Sequence, residues 1–246
     1  ESYRQLMEAS NKLFKGAILS ETEMTHPKME EICGYTPSWI QPWMQTLEIA
    51  RPLLHDDILK KIRGYDPIAT IAESFDRDQL DGRHVLDKAQ YTWNKTMLEG
   101  QILNWGGDRV DMANSMESRP AFLDHHVAEM AREIPPHMRI KGNTEKWVLR
   151  EAMKHILPRT LYEREKFAFM SPPAHTDHKK RQALKLLLEK FASKKAIEEA
   201  GVFDTKRLLQ FLEDYQKDTD PVSLVRKDAL INHILGLQIL HHHFIR

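Results

Sequence analysis

Apolar residues recur along this chain every three or four positions far more often than every second one. That spacing predicts helices nearly everywhere and little or no sheet. One predicted helix follows Asp124, a residue type suited to capping free amides. Val127, Met130, Ala131 and Ile134 then share a face before Pro135 and Pro136 stop the run. A second carries Leu184, Leu187, Leu188 and Phe191 on one side. A third starts after Asp204 and runs through Leu208, Phe211, Leu212 and Tyr215. The last begins at about Ser223 and is apolar on most faces through Ile231, Ile234, Leu235, Leu237 and Leu240, the pattern of a helix buried in a core.

Turn residues punctuate the pattern. Gly64 to Pro67 marks a turn, and Asp81-Gly82 marks another before a long helical stretch that reaches Trp105 and breaks at Gly106-Gly107. Periodicity fails in two places, residues 107–124 and 157–177, and loops on a rigid scaffold are where binding and catalytic groups concentrate. His241, His242 and His243 are preceded by the apolar helix and followed by Phe244, so they read as the end of a native helix.

Composition narrows the classes. A chain of 246 residues, 41% of them hydrophobic, can bury a sizeable core. Its 36 basic and 36 acidic residues cancel, which argues against nucleic acid or an anionic membrane as a partner. The single cysteine, Cys33, excludes an intrachain disulfide framework and reads as an inert thiol. No apolar run is long enough to span a bilayer, and Glu1 to Phe14 lack the pattern of a secretory signal, so a cytoplasmic protein is expected. The terminal histidines cannot share one helix face and lack matching Cys or acidic partners, so no metal site is expected. Trp39, Trp43, Trp93, Trp105 and Trp147 are dispersed through helical patterns and are expected in core packing.

The richest stretch chemically is Gly107-Asp-Arg-Val-Asp-Met-Ala-Asn-Ser-Met-Glu-Ser-Arg-Pro-Ala-Phe-Leu-Asp124. Its acids and bases, Asp108, Arg109, Glu117, Arg119 and Asp124, suit either a structural ion-pair network or a polar ligand. Lys146 and Arg150 sit four apart, a spacing that would place both on one helix face toward a single anionic group or an acidic neighbour. Lys166 stands in the charged run Glu163-Arg-Glu-Lys166, where a solvated lysine would be the default reading.

In order along the chain, three blocks resemble the asparagine synthetase (glutamine-hydrolysing) family. Asp108, Arg109, Met112, Ala113, Glu117, Arg119, Phe122, Leu123 and Asp124 fall in register with its Asp-Arg-Met-x-Met-Ala-x-x-x-Glu-Ala-Arg-x-Pro-Phe-Leu-Asp signature. Thr144-Glu-Lys-Trp-Val-Leu-Arg-Glu-Ala152 with Leu157-Pro158 resembles the family's Thr-Lys-Lys-Tyr-Leu-Leu-Arg-Glu-Ala helix and its following Leu-Pro. Arg164-Glu-Lys-Phe-Ala-Phe169 is similar to its Arg-Pro-Lys-Lys-Gly-Phe loop. Together the quoted blocks cover about a seventh of the chain.

The resemblance implies a mainly α chain, the helical carboxy-terminal part of an α/β adenine-nucleotide α-hydrolase-like (ATP pyrophosphatase) synthetase domain spanning residues 1–246. It implies ATP and Mg2+ as cofactors, adenylation of a substrate carboxylate, and attack by ammonia or another amine. Lys166 would then stabilise negative charge on phosphates and on the tetrahedral oxygen, and Glu117 would orient the amine or accept its proton. Asp108, Arg109, Arg119, Lys146 and Arg150 are weaker candidates for substrate or phosphate contact.

The family's Ser-Gly-Gly-x-Asp-Ser pyrophosphate loop and glutaminase domain have no counterpart here, so a nucleotide-binding half and a glutaminase domain are the expected partners. Oligomeric state stays open. Arg119-Pro-Ala-Phe122 places its proline one position earlier than the family's Arg-x-Pro-Phe, and Phe167 and Ala168 replace a common charged residue and a common glycine. These departures put aspartate in doubt and leave open a specialised-metabolism ligase resembling β-lactam synthetase. A catalytically degenerate scaffold is a third reading, distinguished by loss of the aligned acids and bases.

Overall fold

A computed structural model describes residues 22–142, 144–164 and 174–245, leaving out the side chains of Trp105 and Asp108. It divides the chain into two compact units, one of residues 1–70 with 170–246 and one of residues 71–169. Among the described residues the structure is helical apart from one two-stranded hairpin, as the periodicity predicts.

In the first unit, α1 (Pro27–Cys33) starts on a proline and ends at Gly34, whose φ of 85° is the left-handed cap that glycine adopts without strain. Helix α2 (Gln41–Ala50) tightens into a 3-10 turn over Arg51–Leu53, and α3 (Asp56–Lys61) follows. Helix α4 (Pro67–Glu73) follows the predicted turn, with the Asp66 carboxylate accepting from the Ile68 amide at 2.9 Å.

The second unit holds α5 (Val85–Trp93), which continues through a π-helical stretch, Asn94–Ile102, and a last turn, Leu103–Trp105. The expected break at Gly106-Gly107 has a steric basis. A Cβ on Gly106 would lie 3.1 Å from the Ile102 carbonyl oxygen, and one on Gly107 would lie 3.3 Å from that of Leu103. Next come α6 (Asp108–Ala113), a 3-10 turn (Ala121–Leu123), α7 (His125–Glu133) and α8 (Pro136–Arg139). Strands β1 (Ile140–Lys141) and β2 (Thr144–Glu145) pair antiparallel, with Ile140 opposite Glu145. Helices α9 (Trp147–Met153) and α10 (Arg159–Glu163) complete the unit. Arg139 reaches back to the side chains of Asp87 and Gln90 and fastens the hairpin's approach to α5.

The chain re-enters the first unit with a 3-10 turn (Ala174–Thr176), then α11 (His178–Phe191), α12 (Lys194–Ala200), α13 (Thr205–Lys217) and α14 (Pro221–Phe244). Asp177, Ser193, Asp204 and Asp220 each cap the following helix by accepting a backbone amide. The core gathers Leu184, Leu188 and Phe191 from α11, Leu208, Leu212 and Tyr215 from α13, and Ile231, Ile234 and Leu235 from α14. Ile231 and Leu208 are wholly buried, each burial being worth about 1.5–3 kcal/mol. The amino-terminal helices join this core through an antiparallel bridge between Leu54 and Phe203, with the His55 amide donating to the Val202 carbonyl at 2.9 Å.

Two packing expectations are corrected. Helix α14 is not buried all round: Leu237 and Leu240 are 47% and 55% exposed, because the core occupies only the side that carries Ile231, Ile234 and Leu235. The four tryptophans whose side chains are described are not deeply buried either. Trp43 is exposed, meeting His233 edge-on, and Trp39, Trp93 and Trp147 are half-buried, with the Lys141 ammonium 4.3 Å over the Trp147 ring. Indole is large and amphipathic, so it settles at core margins where a cation or ring can cover one face.

Candidate functional site

The described residues singled out by the sequence fall in the second unit, Asp108, Arg109 and Arg150 on short helices and Glu117, Arg119 and Lys146 in the segments between elements. Helix α6 ends in a Schellman motif: the Met116 amide donates to the Asp111 carbonyl at 2.9 Å and the Ser115 amide to that of Met112 at 3.1 Å. This closure puts Ser115 at a φ of 57°, a left-handed conformation costing a non-glycine residue roughly 1 kcal/mol. Among the described residues, the only other non-glycine residue with positive φ is Lys146, at 54°. Both lie in the segments that resemble the family blocks, and strain of this kind collects at binding and switching sites.

Beyond Ser115 the chain is open to solvent. Glu117 accepts from the Arg119 Nε at 2.8 Å, with the two side chains 68% and 82% exposed. The structure thus brings these two candidates together, though an exposed pair is held by little more than about 1 kcal/mol. Pro120, at φ −66° and ψ 115°, leads into the 3-10 turn. Asp124 then caps α7 as expected, accepting from the His126 amide at 2.9 Å. Arg109 is exposed on the first turn of α6, which Asp108 begins.

The second block departs from the helix expected to start at Thr144. Thr144 and Glu145 form β2, Lys146 caps α9 from its left-handed conformation, and the helix begins at Trp147. Lys146 and Arg150 therefore do not share a helix face. Arg150 is instead committed to the main chain: it donates from Nε to the Glu145 carbonyl at 3.1 Å, from Nη1 to that of Tyr162 at 2.7 Å and from Nη2 to that of Arg164 at 2.9 Å. A planar guanidinium can serve three carbonyls at once, as an ammonium cannot. Arg150 in this way ties the second block to the threshold of the third. Lys166, the principal sequence candidate, lies outside the described residues, as do Phe167 and Ala168.

Beside this clamp the Tyr162 hydroxyl donates to Glu151 at 2.7 Å, and the Lys154 ammonium lies 5.6 Å from the Tyr162 ring centre. The hydrogen bond is the main cause that raises the Tyr162 pKa and lowers that of Glu151. Sequence reasoning missed Glu151 and Tyr162. The first is visible only as the neighbour of Arg150 in a motif, and the second stands eleven residues away with no periodic relation to it.

The unit has a further property that decides what it can do. None of the described residues from 93 to 164 is buried. Phe122 and Met130 are 72% and 71% exposed, Met112 68% and Ile156 73%, although α7 has the apolar face expected of it. Among the described residues, no group of His, Cys, Asp and Glu could hold a metal ion, and no helix is long and apolar enough to cross a membrane.

Fold and site together describe a mainly helical protein with charged, locally strained loops on a scaffold whose apolar faces are uncovered. The asparagine synthase family model matches residues 3–241, and the chain belongs to that family. Similar proteins include the amidase chyE of Penicillium rubens, 32% identical over 65% of this chain and 25% of that protein. The amidase chry2 of Gibberella zeae is 34% identical over 56% of this chain and 22% of its own length. The glutamine-hydrolyzing asparagine synthetase 3 of Bacillus subtilis is 32% identical over 70% of this chain and 28% of its own. The chain thus spans about a quarter of the length of the curated relatives it matches. No solved structure matches.

Proposed function

We propose that this chain is part of an ATP-dependent carbon–nitrogen ligase that joins a substrate carboxylate to ammonia or another amine. The observation that carries the reading is the uncovered apolar scaffold beneath the motif loops. A segment without buried residues cannot offset the entropy of ordering its own backbone, so Phe122, Met130 and their neighbours need a covering surface. We assign that surface to a sheet-bearing, nucleotide-binding segment, in the same polypeptide or in a partner. A glutaminase domain supplying ammonia is the other partner that the family implies.

The described residues do not fit a nucleotide by themselves. Arg150 is occupied by carbonyls, and the Glu117 and Arg119 side chains stand mostly in solvent. ATP and Mg2+ are accordingly assigned to the covering segment. In the completed site, Lys166 supplies fixed positive charge where the reacting carboxylate gathers negative charge. Glu117 orients the amine or takes its proton, and its exposed bond to Arg119 is weak enough to be exchanged for substrate. Arg150 holds the start of the lysine loop; Asp108, Arg109, Arg119 and Lys146 shape the surroundings.

The substrate is a carboxylate other than free aspartate in our reading. The proline beside Arg119 stands one position earlier than in the family's motif, and two of the relatives bear the name amidase. The test is Lys166→Ala in the assembly containing the nucleotide-binding segment, with amide product and pyrophosphate measured and the fold followed by circular dichroism. Loss of both products, by about a hundredfold or more, with an unchanged spectrum is expected. An unaltered rate would remove Lys166 from the mechanism.

A further inference from the structure

Helix α10 hangs on a single residue. Of Arg159, Thr160, Leu161, Tyr162 and Glu163, only Tyr162 is half-buried, and the other four are exposed. So short a helix does not persist by its own hydrogen bonds, and its position is therefore set by what Tyr162 touches. Consecutive residues of α9 hold that tyrosine at both ends. Arg150 donates from Nη1 to its carbonyl at 2.7 Å, and Glu151 accepts from its hydroxyl, also at 2.7 Å. The other Glu151 oxygen lies 3.8 Å from the Lys154 ammonium, which in turn stands 5.6 Å from the centre of the Tyr162 ring. Any residue at position 162 would offer Arg150 a carbonyl, whereas the hydroxyl-to-carboxylate bond needs these two side chains. That bond raises the Tyr162 pKa, so the hydroxyl stays a donor through the neutral range.

The brace ends at Arg164, whose carbonyl accepts from Arg150 at 2.9 Å, and Lys166 follows two residues later in the chain. Two residues of backbone span at most about 7 Å, so a displacement of α10 displaces the point from which Lys166 reaches. We propose that Glu151 and Tyr162 are positioning residues for Lys166, fixing the helix from which the lysine segment departs. This role rests on the ligase activity proposed for the assembly, and adds to it two residues that act through the lysine. Misplacement by about 1 Å is enough to cost a reaction as much as a hundredfold, which gives a brace of this kind a measurable effect on rate.

The test is made in the assembly containing the nucleotide-binding segment, with pyrophosphate release followed in single turnover so that slow rates register. Tyr162→Phe keeps the ring and the carbonyl and removes only the hydroxyl. Its maximal rate is expected to fall about tenfold, with the half-saturating concentrations of ATP and carboxylate unchanged within about twofold. Glu151→Leu should match it, and Glu151→Gln, which keeps an acceptor, should recover most of the loss. In a Lys166→Ala background, Tyr162→Phe should cost less than about twofold, because a group acting through the lysine has nothing left to position. An equal loss with and without Lys166 would mark general destabilisation and overturn the proposal, as would a normal rate for Tyr162→Phe or a loss confined to substrate affinity. A normal rate for Lys166→Ala alone would remove the lysine from the mechanism and this role with it, an outcome that the single variant tells apart from any result at Tyr162.

Discussion

Replacing Asp228 by alanine tests the internal logic of the first unit most directly. Asp228 lies on α14, 6% exposed. Its carboxylate accepts from the Tyr215 hydroxyl at 2.5 Å, the Ala174 amide at 2.8 Å and the His175 Nδ1 at 3.3 Å. It thereby joins α13 to the segment that leads into α11. Asp228→Ala strands three donors at once. The Tyr215 hydroxyl, on a residue 3% exposed, bears the largest penalty, about 1–3 kcal/mol; Ala174 and His175 are half-buried and partly recover water. Relief from burying a carboxylate offsets some of this, leaving an expected loss of about 3–5 kcal/mol.

Urea unfolding of the intact chain, followed by the Trp43 environment in the same unit, reads the change. With a slope near 2 kcal/mol per molar, the midpoint should fall by roughly 1.5–2.5 M. Asp228→Asn keeps the shape and one acceptor, and about half of the loss is expected. In a cycle with Tyr215→Phe, the two substitutions should couple by about 1 kcal/mol or more. A loss below about 1 kcal/mol for Asp228→Ala, or strict additivity in the cycle, would refute the reasoning.

The remaining predictions concern titration and the guanidinium clamp. Burial, and then the bond to Asp228, hold the Tyr215 pKa above the ordinary tyrosine range, and burial, followed by neighbouring Cys33, pushes Tyr35 up to about 12. Raised folded-state values mean that this stability is complete below pH ~10 and lost as pH rises, so Tyr215→Phe should flatten the alkaline limb of a stability–pH curve. The Lys227 ammonium, at 2.6 Å, is the first cause holding Asp218 well below its usual range, followed by the Ser223 hydroxyl. That contribution is complete above pH ~4 and lost as pH falls; Lys227→Met should flatten the acid limb, and an unchanged acid limb would count against the pairing. Arg150→Lys removes the forked grip on the carbonyls of Tyr162 and Arg164. Backbone amide exchange over residues 160–164 should quicken by about tenfold, and an unaltered rate would show that the clamp carries no load.

What the sequence determined by itself is what hydrogen bonds between near neighbours determine. The helical class, the cap at Asp124, the helix start after Asp204 and the break at Gly106-Gly107 were all legible, because a helix satisfies its backbone within four residues and a cap within three. The family was legible as well, since Glu117, Arg119 and their companions stand in contiguous blocks. Only the tertiary structure decided matters that depend on groups distant in the chain. Arg150 turns from a candidate anion contact into a clamp because two of its carbonyl acceptors are 12 and 14 residues away. Lys146 leaves the helix because a hairpin intervenes, closed at Gly142 with φ 59°. Asp228 meets partners 53 and 54 residues earlier, with no periodicity to announce them. The largest gap between pattern and structure is in α7. Its apolar face was predicted correctly, but a face says only that something must cover it, and long-range packing decides what does.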